Sequence, residues 1–130
     1  MKLIFKLASA LVISSLASAA WAQDDAAELE VVLPDDAQKC VLPASPDTIP
    51  EPPSYDDLKN AKAQVTEFQG KMVQFRECLA KADENPDNTP GNKQAIVNSY
   101  NYSVEMEERV ANRCNEAVRA YKENQAASEG

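Results

Sequence analysis

Between Leu58 and Ala82 the apolar positions Leu58, Ala61, Val65, Phe68, Met72, Phe75, Leu79 and Ala82 recur at alternating steps of three and four residues. That spacing keeps one stripe on one side of a helix for four heptads, so it predicts a helix facing a partner helix. Ser54, with Asp57 three residues on, is a capping-box arrangement that starts this helix at Tyr55. Glu67 with Lys71 and Glu77 with Lys81 set favourable pairs on its outer face. Gly70 lies mid-helix, where it costs about 1 kcal/mol relative to Ala unless another backbone approaches closely there.

The segment Asp83–Asn92 is dense in turn formers and ends the first helix. A second helix is predicted over residues 93–122. Its stripe runs through Ile96 or Val97, Tyr100, Ser103 or Val104, Glu107, Val110 or Ala111, Cys114, Ala117 or Val118, and Tyr121. Glu105 with Arg109 is a further outer pair. Two similar helices joined by a short loop make an antiparallel hairpin about 42 Å long. The fold class expected is therefore all-α: a coiled-coil-like two-helix hairpin over residues 54–124, with residues 125–130 as a frayed tail. Such a hairpin has a thin core, and half-buried seam side chains must offset an ordering cost of about 1.5 kcal/mol per residue. A disulfide staple, dimerisation or docking on a partner is expected to make up the difference.

Upstream the pattern changes. Residues 23–53 form an acidic, Pro-rich arm, and six of the eight prolines fall between Pro34 and Pro53. From Gln23 to Asp57 there are ten acidic residues against one Lys. Prolines at 43, 46, 50, 52 and 53 forbid helix and favour extended geometry, so Cys40 to Pro53 reads as a stiff tether. Residues 23–38 read as a disordered acidic leader in which Leu29, Val31, Val32 and Leu33 form a weak docking patch.

Residues 1–22 read as a cleavable signal peptide, with Lys2 and Lys6 at its start, an apolar run from Leu7 to Leu16 and Ala20-Trp21-Ala22 before the cut. The run is too interrupted by serines to span a bilayer, and no second apolar stretch follows, so no transmembrane segment is expected in the mature chain. Cleavage removes two of the 13 basic residues and none of the 21 acidic ones, leaving a net charge of −10 and no Trp. The localisation expected is periplasmic or secreted.

This balance argues against nucleic acid as a partner. The chain has no His, so Ser-His and Cys-His dyads and imidazole metal ligands are absent. Asp83-x-Asn85-x-Asp87-Asn88 resembles the start of a calcium loop, but the sixth position is Asn88 rather than Gly, Pro86 intrudes, and the twelfth is Gln94. Glu105, Glu107 and Glu108 read as a solvated face beside Arg109 and Arg113. Asn101-Tyr102-Ser103 matches a glycosylation acceptor but lies mid-helix. Phe68, Phe75, Tyr100 and Tyr121 sit at helical spacing and are expected to pack the core. No catalytic residues, metal or cofactor are expected.

Three cysteines in an exported chain imply one bond and one leftover thiol. In the hairpin, Cys78 and Cys114 would lie about 27 Å apart along the axis, too far to bond. Cys40 has more freedom. The arm could run back along the first helix to Cys78, or bend and meet Cys114 near the open end, and reach alone does not decide.

The order of features resembles a group of small exported alphaproteobacterial proteins of unassigned function. These share a Cys/Pro-rich arm, a helix with an aromatic residue then Cys-Leu, and a closing helix. The matching pieces here are Cys40-Val41-Leu42-Pro43 with Pro46 and Pro50, Phe75-Arg76-Glu77-Cys78-Leu79, and Tyr100-Asn101-Tyr102-Ser103-Val104 followed by the stretch from Arg113 to Lys122. The position of Cys114 is usually aromatic in that group. The resemblance thus implies a Cys40 to Cys78 bond, with Cys114 as an extra thiol, free or intermolecular. It implies no activity. The function expected is that of a non-enzymatic interaction or structural module of the envelope, engaging a protein partner or forming a homodimer. The alternative is a small-ligand or cation binder using the acidic arm.

Overall fold

The computed structural model describes residues 29–130, so the leader assigned to residues 1–22 and the first positions of the arm lie outside the described residues. Three helices follow in order: α1 (Asp35–Gln38), α2 (Tyr55–Asp83) and α3 (Pro90–Ser128), with no strand among the described residues. The two long helices pack against each other. Their antiparallel course is fixed by two contacts: Lys93 pairs with Asp83 beside the connecting loop, and the rings of Tyr55 and Tyr121 meet at 6.5 Å at the open end.

Helix α2 begins where the capping signal lies. The Asp57 N–H donates to Ser54 Oγ at 3.1 Å, while Ser54 N–H and Oγ both donate to Asp57 Oδ2, at 2.8 and 2.7 Å. The Ser54 hydroxyl and then its backbone N–H hold the Asp57 carboxyl below its ordinary value of 3.8. A depressed carboxyl stabilises the fold fully above its unfolded pKa, and that contribution disappears as pH falls through the folded value. Ser54→Ala should therefore lower the melting temperature at neutral pH, and the gap to wild type should narrow below about pH 4. A gap that stayed constant in melts across this acid range would contradict the assignment.

Helix α3 starts at Pro90, three residues ahead of the expected Lys93. Thr89 caps it through Asn92 N–H at 3.1 Å, and Pro90 occupies the first turn, where a missing N–H is not needed. The connection shrinks accordingly. Asn88 Nδ2 donates to the carbonyl of Ala82 at 2.7 Å and Asp87 N–H to Asn85 Oδ1 at 3.0 Å, closing α2 and the turn with local side chains. At the other end, the expected frayed tail is helical through Ser128, whose hydroxyl donates to the Asn124 carbonyl. Its Gln125-Ala126-Ala127 run favours helix intrinsically.

Phe68, Met72, Phe75, Leu79 and Ala82 of α2 are buried with Ile96 and Val110 of α3. Leu58 and Val65 are half-buried, so the whole predicted α2 stripe faces inward. On α3 the structure selects Ile96 over Val97, Ser103 over Val104 and Val110 over Ala111 as the more deeply buried residues, and it places Tyr100 outside the core, half its surface exposed. The reason is a third layer. Asn98, Ser99 and Tyr102 face the arm across a shared space, so α3 is covered on that side and left open on the side of Tyr100.

That layer opens at the closed end of the hairpin, where α1 inserts Ala37 into the core and Leu33 and Cys40 pack against it. Asn85 Nδ2 donates to Asp36 Oδ2 at 3.2 Å, and Asn92 Nδ2 donates to the Val32 carbonyl at 2.7 Å. Hydrogen bonds from Lys39 and then Asn85 hold the Asp36 carboxyl below its usual range. The segment read as a disordered leader is thus docked from Glu30 onward, where it meets Gly91 and Asn92. Gly91 allows the approach, because a Cβ there would collide with the backbone of Glu30. The close approach weighed for Gly70 occurs instead at Gly91, and a Cβ on Gly70 meets nothing within 4 Å. Gly70→Ala should stabilise the chain by about 1 kcal/mol in urea melts, whereas Gly91→Ala should destabilise it and expose the Val31–Val32 region to proteolysis. Equal effects of the two changes would contradict this division.

Candidate functional site

The arm determines what the hairpin can present. Cys40 and Cys78 are joined with a Cα separation of 5.6 Å, and from this staple the chain runs back beside both helices to Ser54. Pro43 and Pro53 are buried along the way. Arg113 Nη2 donates to Ser45 Oγ at 3.2 Å, and Asp47 exchanges two hydrogen bonds with Gln64, its N–H donating to Oε1 at 3.0 Å and its Oδ2 accepting from Nε2 at 3.3 Å. Of the two partners within reach of Cys40, the structure brings Cys78 to it and leaves Cys114 a free, half-buried thiol.

Beyond Ser45 the arm spans a cavity of about 320 Å³ at the open half of the hairpin. Its existence follows from side-chain size. Where the closed half has Phe75, Met72 and Leu79 in the interface, the open half has Ala61, Ala117 and Ala120 beside Val65 and Val110, and the rigid segment Pro46–Pro53 roofs the space they leave. Cys114 forms part of the wall, and Asp47, Glu51, Arg113 and Glu116 supply its charged groups. Nothing in the apolar periodicity distinguished this half from the other; only the change from large residues to alanine signals it.

The opposite side of the hairpin is bare. Val73 on α2 and Val97 and Tyr100 on α3 are about half exposed, at 49%, 50% and 47%, and none lines a space shared with the arm. Val97, Tyr100 and the half-buried Val104 follow one another at steps of three and four, so they share one face of α3. Arg76 ties the two helices together beneath this face. Its Nη2 bonds Glu107 Oε2 at 2.7 Å, its guanidinium carbon lies 6.0 Å from the Tyr100 ring centre, and its side chain is only 19% exposed. Glu107, expected on the stripe, is there as the partner of Arg76. Arg76 itself was not singled out by the sequence, since one arginine flanking Cys78 has no periodic signature.

The other candidate residues serve local structure. Asn85 and Asp87 close the loop as described. Glu105 pairs with Arg109 at 3.8 Å and Glu67 with Lys71 at 2.7 Å, on exposed surfaces worth little to stability. Ser103 is fully buried, with its hydroxyl donating to the Tyr100 carbonyl at 2.6 Å. No helix among the described residues is long and apolar enough to cross a membrane.

No family model, curated protein or solved structure matches this chain.

Proposed function

We propose that the protein is exported to the periplasm or secreted, and acts there without catalysis as an interaction module that engages another protein through the arm-free face of the hairpin. The observation that carries this reading is the strip of Val73, Val97 and Tyr100. On this face two valines and a Tyr are left about half exposed, with Arg76 beside the Tyr ring. Tyr and Arg are the residue types enriched at the centres of interfaces. A disulfide is compatible with an oxidising extracellular compartment, which supports export.

The test places a photo-crosslinking amino acid at Val97 in the full chain, expressed with its leader, and at exposed Lys122 on the distant end of α3 as control. A discrete adduct from position 97 is expected, with one envelope protein or with a second copy. It should be lost when Val73→Ser and Tyr100→Ser are combined. An unmodified monomer at position 97, or the same adducts from position 122, would overturn the reading.

A further inference from the structure

We infer that the cavity beneath the proline arm is a binding site for a small apolar cation, a protonated alkylamine bearing one bulky hydrocarbon group. The inference concerns the side of the molecule away from Tyr100 and does not rest on the interaction proposed for that face.

The space is built to stay open. Its volume, about 320 Å³, falls within the range of small-molecule sites, about 300 to 1,000 Å³. A flexible loop over so small-sided a floor would collapse onto it. This roof is fixed at one end by the Cys40–Cys78 bond, at the other by the Ser54 cap, and between them by the Asp47–Gln64 and Ser45–Arg113 hydrogen bonds. Proline rings at positions 46, 50 and 53 fix the backbone torsions of that stretch and present apolar surface without N–H donors. The interior suits a hydrocarbon group.

Charge selects the sign of the head group. Asp47, Glu51 and Glu116 stand around the cavity against Arg113 alone, an excess of two negative charges. None of the three carboxylates takes part in an ion pair among the described residues. Excess negative charge over low-dielectric walls concentrates cations at the mouth and disfavours anions. A carboxylate or phosphate ligand would meet net repulsion, and a neutral one would leave this field unused.

Cys114 supplies a reporter, since its thiol belongs to the wall. The experiment measures the rate of Cys114 alkylation by N-ethylmaleimide in the wild-type protein with its disulfide intact, together with the melting temperature. Three probes of similar shape are compared: N,N-dimethylphenethylamine, neutral 2-phenylethanol and anionic 3-phenylpropanoate. The amine is expected to slow alkylation several-fold and to raise the melting temperature, as any ligand of the native state must. The alcohol and the acid should do neither at the same concentration. Glu116→Gln should weaken protection by the amine, and Ala117→Phe, which fills the space, should abolish it. Because the probe comparison needs no variant, misfolding of Ala117→Phe would not rescue the idea. Failure of the amine to protect Cys114, or equal protection by the alcohol or the acid, would overturn it.

Discussion

Replacing Cys40 and Cys78 together by serine is expected to destabilise the folded chain by about 4 kcal/mol, the value the chain-entropy account assigns to a loop of this size. The two cysteines are separated by 38 positions, so the bond removes a large set of conformations from the unfolded ensemble. The effect should be conspicuous because total stabilities of small domains are only about 5 to 15 kcal/mol. For a chain of this size the melting temperature should fall by more than about 10 °C. The double change is needed because a single one leaves a second free thiol beside Cys114, open to disulfides between molecules. Urea melts of the double variant against oxidised wild type measure the loss. Hydrogen exchange should locate it, since residues 41 to 53 form no helix and depend on the staple, the Ser54 cap and a few side-chain hydrogen bonds for their position. A loss below about 1 kcal/mol would mean that the arm is held by its packing alone.

How much of this arrangement the sequence discloses depends on whether a feature is local. The stripe of α2 is local in this sense. Each step of three or four residues specifies the same face whatever lies opposite, and Ser54 with Asp57 specifies the start. The stripe of α3 is not. Four of its eight steps offer two adjacent residues, and choosing Ile96 over Val97 requires knowing on which side a further layer packs. The arm is that layer, and its docking rests on Gly91 beside Glu30 and Asn92 on Val32, contacts about sixty residues apart that periodicity does not encode. The start of α3 was displaced for a different reason: Pro90 and Gly91 are turn residues by composition, yet Pro suits the first turn of a helix. The cavity is harder still to foresee. It arises by subtraction, from alanines on two helices brought to one level beneath a proline segment that returns from the far end. Only the alignment of all three strands of chain reveals it.

The same division into a filled and an open half predicts that shortening one buried leucine is far more costly than enlarging an alanine. Leu79 is 1% exposed and joins α2 to Ile96 of α3, Ala37 of α1 and the half-buried Leu33. Leu79→Ala should therefore cost about 3 kcal/mol, within the range of about 2 to 5 for buried leucines, because three segments meet there and none can close the gap alone. Met72, with no exposed surface, should behave alike. In the open half the reverse substitution, Ala120→Leu, extends into existing space and should change stability by less than about 1 kcal/mol, since inserted methylenes destabilise chiefly where no room exists. Denaturant melts of the two variants, disulfide intact, decide the matter, with slopes unchanged because both unfold from the same compact state. If Leu79→Ala proved as mild as Ala120→Leu, the closed half would not be the part that holds the hairpin together. If Ala120→Leu proved as severe, the space beneath the arm would be too small to admit a ligand. The expected asymmetry makes one end of this hairpin the source of its stability and leaves the other free to bind.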